Sequence, residues 1–306
     1  TQLWNASRYV LLQLDDAPDA SKGEAEPSVE DAWIRSRTAS TVRQVRAALD
    51  AFDFAPVGHS LYRFIWNDYC DWYLELTKPV LNDASAGTGA QLSARQTLRD
   101  TLGALLRLLH PIMPFITEEL CLELCERTGR ASATVMLEPL PSVNEFTRDE
   151  EAEEDIAWLK DFVIGVRQIR GEMNISPGTR LPVLLGDVEP GDRERLDRHR
   201  DLLHSLARLE QIDILEGAEP DGIATALVRQ FRILVPLADL IDVEAERARL
   251  GKQRQRIEQD LAKAESKLGN ERFVANAPEA VVQKERDRAA DLTNQLKSLE
   301  QQLSRL

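Results

Sequence analysis

Apolar side chains recur at helical spacing through most of the first 126 residues. Residues 1–14 read as the end of a helix, with Leu3, Trp4, Ser7, Tyr9, Val10 and Leu14 set apart from the more polar Asn5 and Arg8. An acidic loop of small residues, Asp15 to Pro27, follows. Ser28 is placed to cap a helix running to about Phe52, with Ile34, Val42, Val45 and Leu49 on one face. A third helix is predicted over about Ser60–Leu76, after Gly58 and ending before Pro79. Its aromatic stripe, Tyr62, Trp66, Tyr69 and Tyr73 with Leu76, follows the 3.6-residue period and reads as core rather than as a stacking platform. After a loop over 82–90, a fourth helix covers about 91–109, and Pro111 and Pro114 bend the chain into a fifth that ends near 126. Amphipathic helices joined by short loops predict an antiparallel bundle.

A Pro-containing, acid-rich connection spans 127–152. Beyond it a helix over about 153–173 carries Ile156, Leu159, Val163 and Val166. Strand-like runs at Leu181–Leu185, Ile212–Leu215 and Phe231–Leu237 flank a helix near 191–208, which predicts a small α+β subdomain without fixing its topology. The tail changes period. Val243, Leu250, Ile257 and Ala264 recur every seven residues, interleaved with Arg247, Arg254, Leu261 and Leu268. Val282, Ala289, Leu296 and Leu303 do the same, with Glu285, Leu292, Leu299 and Leu306 between them. Gly269 and Pro278 bracket the break, a helix stop and a helix start. Two arms of about 40 Å each follow from 1.5 Å per residue. The chain is therefore expected to be mainly α: a helix bundle (1–140), a small α+β linking subdomain (141–241) and an antiparallel coiled-coil hairpin (242–306). Pairing of the heptads between two chains is the alternative to a hairpin within one chain.

Charge refines this picture. The 306 residues carry 38 Lys+Arg and 52 Asp+Glu, a formal net charge of −14, which argues against an indiscriminate nucleic-acid binder. Residues 242–306 hold 13 of those cations and 12 of the acids, so the tail is the part of the chain that repels a polyanion least. No apolar stretch reaches membrane-spanning length, and no signal-peptide pattern is present at the start, so a cytoplasmic protein is expected. Thr1-Gln2-Leu3-Trp4 begins inside a helical pattern, as in a piece of a longer protein. Cys70, Cys121 and Cys125 lie in helical sequence and fit a reducing compartment. Cys121 and Cys125, four residues apart, read as a buried pair rather than a metal site, since none of His59, His110, His199 or His204 completes a ligand set. Asp68, Asp71 and Glu75 read as a solvated polar flank.

Four stretches occur together in a characteristic order: Leu3–Val10 (LWNASRYV), Phe64–Glu75 (FIWNDYCDWYLE), Leu108–Phe115 (LLHPIMPF) and Ile169–Pro177 (IRGEMNISP). The tail adds Phe273–Val282 (FVANAPEAVV) before its second heptad run. This combination resembles the C-terminal half of bacterial valyl-tRNA synthetases over essentially the whole chain. The Leu108–Phe115 stretch is shared with the isoleucyl, leucyl and methionyl enzymes, but the Phe64–Glu75 stretch and the terminal hairpin favour valine over isoleucine.

The resemblance implies a helical anticodon-binding domain, a linking subdomain and a coiled-coil arm that touches the corner of the tRNA. It implies valine tRNA and an N-terminal catalytic domain as partners, in a monomer. ATP and magnesium serve the parent enzyme, and no cofactor or metal is expected in this fragment. The class I catalytic motifs His-x-Gly-His and Lys-Met-Ser-Lys-Ser do not occur in the sequence, nor does a Gly-rich phosphate loop, so the fragment alone is expected to catalyse nothing. Asn5, Arg8, Arg35, Arg37, Arg43 and Arg46 are the candidates for the anticodon groove. Arg256, Lys263, Lys284, Arg286, Arg288 and Lys297 are the candidates for phosphate contacts along the arm. A protein-interaction or dimerisation module is the competing reading.

Overall fold

A computed structural model describes residues 2–15, 24–83, 86–130, 132–220, 222–237, 243–269 and 279–305. Most of the acidic loop at 16–23, the Phe273–Pro278 part of the tail motif and Leu306 lie outside the described residues, as do the side chains of Val243 and Leu303. The chain divides into two compact units, Thr1–Lys160 and Asp161–Leu306.

The first unit is helical: α1 (Gln2–Asp15), α2 (Val29–Asp50), α3 (Phe54–Arg63), a π-helical segment (Phe64–Tyr73), α4 (Leu74–Asn82), α5 (Thr88–Leu109) and α6 (Pro114–Thr128). Ser28 caps α2 reciprocally with Asp31, whose backbone N–H donates to the serine hydroxyl. Asp31, 2% exposed, then accepts the Tyr73 hydroxyl at 2.6 Å and the Ser93 hydroxyl at 2.7 Å. One buried carboxylate thus pins the start of α2 to the π segment and to α5. These two helices run parallel, because Asp31 and Arg35 meet Ser93 and Thr97 near their starts. Near their ends, Arg46 and Arg107 both donate to carbonyls of the 139–141 segment. α1 runs opposite to α5, with Arg95 of α5 donating to the Gln13 carbonyl. α6 returns antiparallel to α5, since Gly103 lies against Leu124 and His110 bonds Thr117.

The aromatic helix departs from the sequence expectation. It starts at Phe54, six residues early, and continues through Pro79 to Asn82. Its centre is a π-helix, in which Leu74 N–H reaches back five residues to the Tyr69 carbonyl. The wider turn moves the buried stripe to Phe64, Ile65, Tyr69 and Tyr73. Tyr62 is left 56% exposed, stacked on Trp66 at 4.6 Å, so the inner half of the stripe is core and the outer pair is not.

Helix α7 (Glu150–Glu172) starts in the first unit and ends in the second. The second unit holds β1 (Leu181–Gly186), α8 (Pro190–Leu206), β2 (Leu209–Ile214), β3 (Ile223–Val228) and β4 (Phe231–Pro236), in a sheet of order β2-β1-β4-β3. β1 pairs parallel with β2 across α8, while β1/β4 and β3/β4 are antiparallel. Gly165 of α7 sits so close to the sheet that a Cβ there would lie 2.5 Å from Val228 Cγ2. Phe162 packs on Phe231 at 6.1 Å between ring centres. β3 is absent from the sequence expectation. Its composition, Ile-Ala-Thr-Ala-Leu-Val, is a weak strand signal, and its turn is Arg229-Gln230 with Arg229 at φ +51° in place of the usual Asn-Gly.

The tail folds into α9 (Val243–Leu268) and α10 (Glu279–Arg305), packed antiparallel, with Lys267 near the end of one donating to Glu285 near the start of the other. Leu250, Ile257, Ala264, Val282 and Leu299 are buried along the seam, as the heptads require. The seam is thin: Ala264 holds one of its buried places, and Arg254 stays exposed, paired with Glu258. Among the described residues no helix is long and apolar enough to cross a membrane.

Candidate nucleic-acid interface

The six predicted bundle residues separate into two groups. Asn5 and Arg8 on α1 and Arg43 on α2 are exposed. Arg8 and Trp4 line a groove of about 250 Å³ between α1 and α6, with Leu11, Leu12, Glu119 and Glu123. Trp4 is 45% exposed on its rim rather than packed in the core. Arg35, Arg37 and Arg46 lie on α2 and face inward. Arg35 donates to Asp100 at 2.9 Å and to Thr97. Arg46 holds the Leu140 and Pro141 carbonyls. Arg37 bonds Asp68 at 3.0 Å and Glu153 at 3.4 Å. Burial works against its charge, yet the two carboxylates outweigh burial and raise its pKa. Partners 31 to 116 residues away could not be read from the sequence.

Asp68 corrects the expectation of a solvated acidic flank. Its side chain, 15% exposed, joins Arg37 and Lys160, the latter at 3.4 Å. The Lys160 ammonium also lies 4.0 Å from the centre of the Trp33 ring. The predicted Arg37, together with Lys160, forms a brace between α2, the π segment and α7. Asp71 is exposed and Glu75 pairs with Lys78, as surface carboxylates do.

The hairpin brings some of its cations together in one groove. All six predicted residues are exposed. Lys263 and Arg288 line a shallow groove between α9 and α10, and Lys267, missed in the sequence because it flanks the seam, joins them there. Lys263 bonds Asp260 at 3.0 Å, and this bond, with the charges of Lys263, Arg288 and Arg256, lowers the Asp260 pKa. Glu285 is lowered by its bond to Lys267 and by the nearby charges of Lys267, Arg288 and Lys284. Lys263, Lys267 and Arg288 line the groove with one acid, Glu285, and the charges of Arg256 and Lys284 reach the adjoining carboxylates of Asp260 and Glu285. Arg286 is two residues from both Lys284 and Arg288 and so points to another face, and Lys297 lies about two turns further on.

Residues 31–185 match a family model described as the anticodon-binding domain of tRNA ligase. Residues 242–306, the hairpin with its cation groove, match the valyl tRNA synthetase tRNA binding arm. The chain belongs to the valyl-tRNA synthetase family. It is the C-terminal, tRNA-binding region of such a synthetase, and its domains are those of an aminoacyl-tRNA ligase. The match over 242–306 disfavours the reading as a dimerisation module.

The stretches that resemble valyl-tRNA synthetases have structural work visible in the fold. In Leu108–Phe115, Pro114 opens α6, and His110 Nδ1 meets the Thr117 hydroxyl at 2.8 Å across the α5–α6 corner. In Ile169–Pro177, the guanidinium of Arg170 is buried and holds the carbonyls of Ser176, Ala207 and Arg208. Burial and then the charge of Arg208 lower its pKa. Asn174 takes a left-handed φ of +51°, a conformation asparagine tolerates. These two motifs of the synthetase shape the backbone, whereas the Leu3–Val10 stretch carries the exposed Arg8.

Proposed function

We propose that this region holds valine tRNA by two separate surfaces. The exposed residues Asn5, Arg8 and Arg43 of the bundle face the anticodon stem-loop, while Arg35, Arg37 and Arg46 hold α2 in place behind them. The groove of Lys263, Lys267 and Arg288 takes the phosphates of the tRNA corner, and Arg256, Lys284, Arg286 and Lys297 extend that field. The observation that carries this reading is the groove lined by three cations, Lys263, Lys267 and Arg288, and one acid, Glu285, in a chain of net charge −14. Joining two weak grips on one RNA multiplies affinity through effective concentration.

The region acts in a cytoplasmic, monomeric valine–tRNA ligase. ATP and magnesium belong to a catalytic domain, and the bundle offers that domain an apolar surface. Because α2 and α5 run parallel, exposed Phe52 and Phe54 fall at the same end as exposed Ile112, Met113 and Phe115, the last 90% exposed. Clusters of this kind mark contact surfaces.

A salt titration of binding to valine and isoleucine tRNAs tests the reading. Valine tRNA is expected to bind more tightly, with log K falling linearly against log salt. Replacing Lys263, Lys267 and Arg288 together by Gln is expected to weaken binding at least tenfold at low salt and to reduce the slope by about two to three. An unchanged slope refutes the cation groove, equal affinity for both tRNAs refutes valine specificity, and valine activation by this polypeptide alone refutes the assignment of catalysis elsewhere.

A further inference from the structure

A carboxylate stands among the cations of the hairpin groove. Glu285 falls on the heptad line that continues as Leu292 and Leu299, a seam position at which an acid adds little apolar contact. Its side chain is 15% exposed, and one oxygen accepts from the Lys267 ammonium at 2.9 Å. The other oxygen is buried and has no hydrogen-bond partner among the described residues. Such an oxygen costs stability, so a seam with a purely structural task is better served by leucine. The Lys267 bond, with the charges of Lys267, Arg288 and Lys284, outweighs burial and holds the Glu285 pKa below the ordinary glutamate value. Glu285 is therefore a fixed negative charge at neutral pH.

The small side chains Ala262, Ala264 and Ser266 line the same groove and leave it open beside this charge. Three cations less one acid give the lining a net charge of +2, with Lys267 already engaged inside the protein. A phosphate drawn to Lys267 meets a like charge held against that ammonium, and the two repel. Discrimination between partners rests on such repulsive elements as much as on attractive ones. Attraction alone would take up any polyanion, because cation–phosphate contacts are indifferent to sequence and nearly so to shape.

We propose, resting on the reading of this groove as a phosphate site, that Glu285 is its specificity-determining residue: a fixed carboxylate that repels phosphates arriving at Lys267 and favours a placement centred on Lys263 and Arg288. A folded RNA whose shape sets that placement loses little to the carboxylate, and a phosphate row of another geometry loses more. Binding of this chain to valine tRNA and to mixed-sequence duplex DNA, each over a range of salt, tests it. Glu285→Gln is expected to tighten duplex DNA about tenfold at low salt and to steepen its salt slope by about one, because Lys267 becomes free to release a counterion, while valine tRNA changes by less than about threefold. Lys267→Gln leaves the acid uncompensated and is expected to weaken DNA binding, the opposite sign. A role confined to the seam predicts the same sign for both substitutions, weaker binding by a loosened hairpin. Replacing Lys267 and Glu285 together by Gln restores the groove charge and is expected to return DNA affinity to within about threefold of the parent, which a loosened hairpin would not do. Equal gains on tRNA and DNA, no change with Glu285→Gln, or losses with both single substitutions overturn the proposal and leave the phosphate groove standing. Failure of the groove itself shows separately, as unchanged affinities when Lys263 and Arg288 are both replaced by Gln, and the proposal then falls with it.

Discussion

Asp31 ties three elements of the bundle together. It caps α2, and its carboxylate accepts the buried hydroxyls of Tyr73 and Ser93. Asp31→Ala removes the cap residue's partner and leaves two buried hydroxyls unpaired, at roughly 1–3 kcal/mol for each orphaned group. A total loss of about 3 kcal/mol is expected in urea denaturation, whereas Ser93→Ala should cost about 1 kcal/mol. Asp68 offers a second residue-scale test. Asp68→Asn removes one of the two carboxylate partners of Arg37 and an ion-pair partner of Lys160 in a partly buried site, and a loss of about 1–2 kcal/mol is expected, reduced from the fully buried case by solvent and by the remaining Glu153. Arg43→Ala, at an exposed position, should leave stability within about 0.5 kcal/mol and act on RNA affinity alone. The sequence showed an arginine row along α2 without distinguishing these roles. Arg37 and Arg43 look equivalent by spacing, and only the carboxylates of Asp68 and Glu153, brought in by distant segments, separate the brace from the exposed cation.

At the scale of elements, the periodic signals were the legible ones. The α2 cap, the α5–α6 corner and the heptad seam all follow from local sequence, because the side chains that define them are neighbours along the chain. The π segment was illegible, since a local change of period needs no special residue. β3 was missed because its partner strand supplies what its own composition lacks. The segment after α6 is held to the bundle by side chains rather than by regular structure. Arg107 donates to Glu145 and to the Pro139 carbonyl, and Arg130 to Glu138. Burial pushes the Glu145 pKa up, but the Arg107 bond, the Ser142 N–H and the nearby positive charges outweigh it and leave the pKa below its usual value. The folded protein therefore holds that proton less tightly than the unfolded chain does. Its stabilisation is complete above the ordinary glutamate range and is lost as pH falls through the lowered value. Limited proteolysis of residues 130–149 should accelerate below about pH 4, and Glu145→Gln should show the faster cleavage already at neutral pH.

For the whole molecule, function was clearer than the identity of the contact residues. Family-level motifs named the RNA, yet most of them shape the backbone, as Arg170 and Asn174 do. The candidate contact residues were recognisable in the sequence mainly by their charge, and the structure regroups three cations, placing Lys267 with Lys263 and Arg288. The narrow packing between α9 and α10, with Ala264 where a larger side chain could sit, has an energetic corollary. A helix pair with so little apolar mass opens readily, and its amide protons should exchange with solvent long before those of α5. Occupancy by RNA at a hundredfold excess over Kd adds about 2.7 kcal/mol to whatever state binds. Amide protection along Val243–Leu268 should therefore rise roughly a hundredfold when RNA is present, so that the ligand itself completes the rigidity of the finger that grasps it.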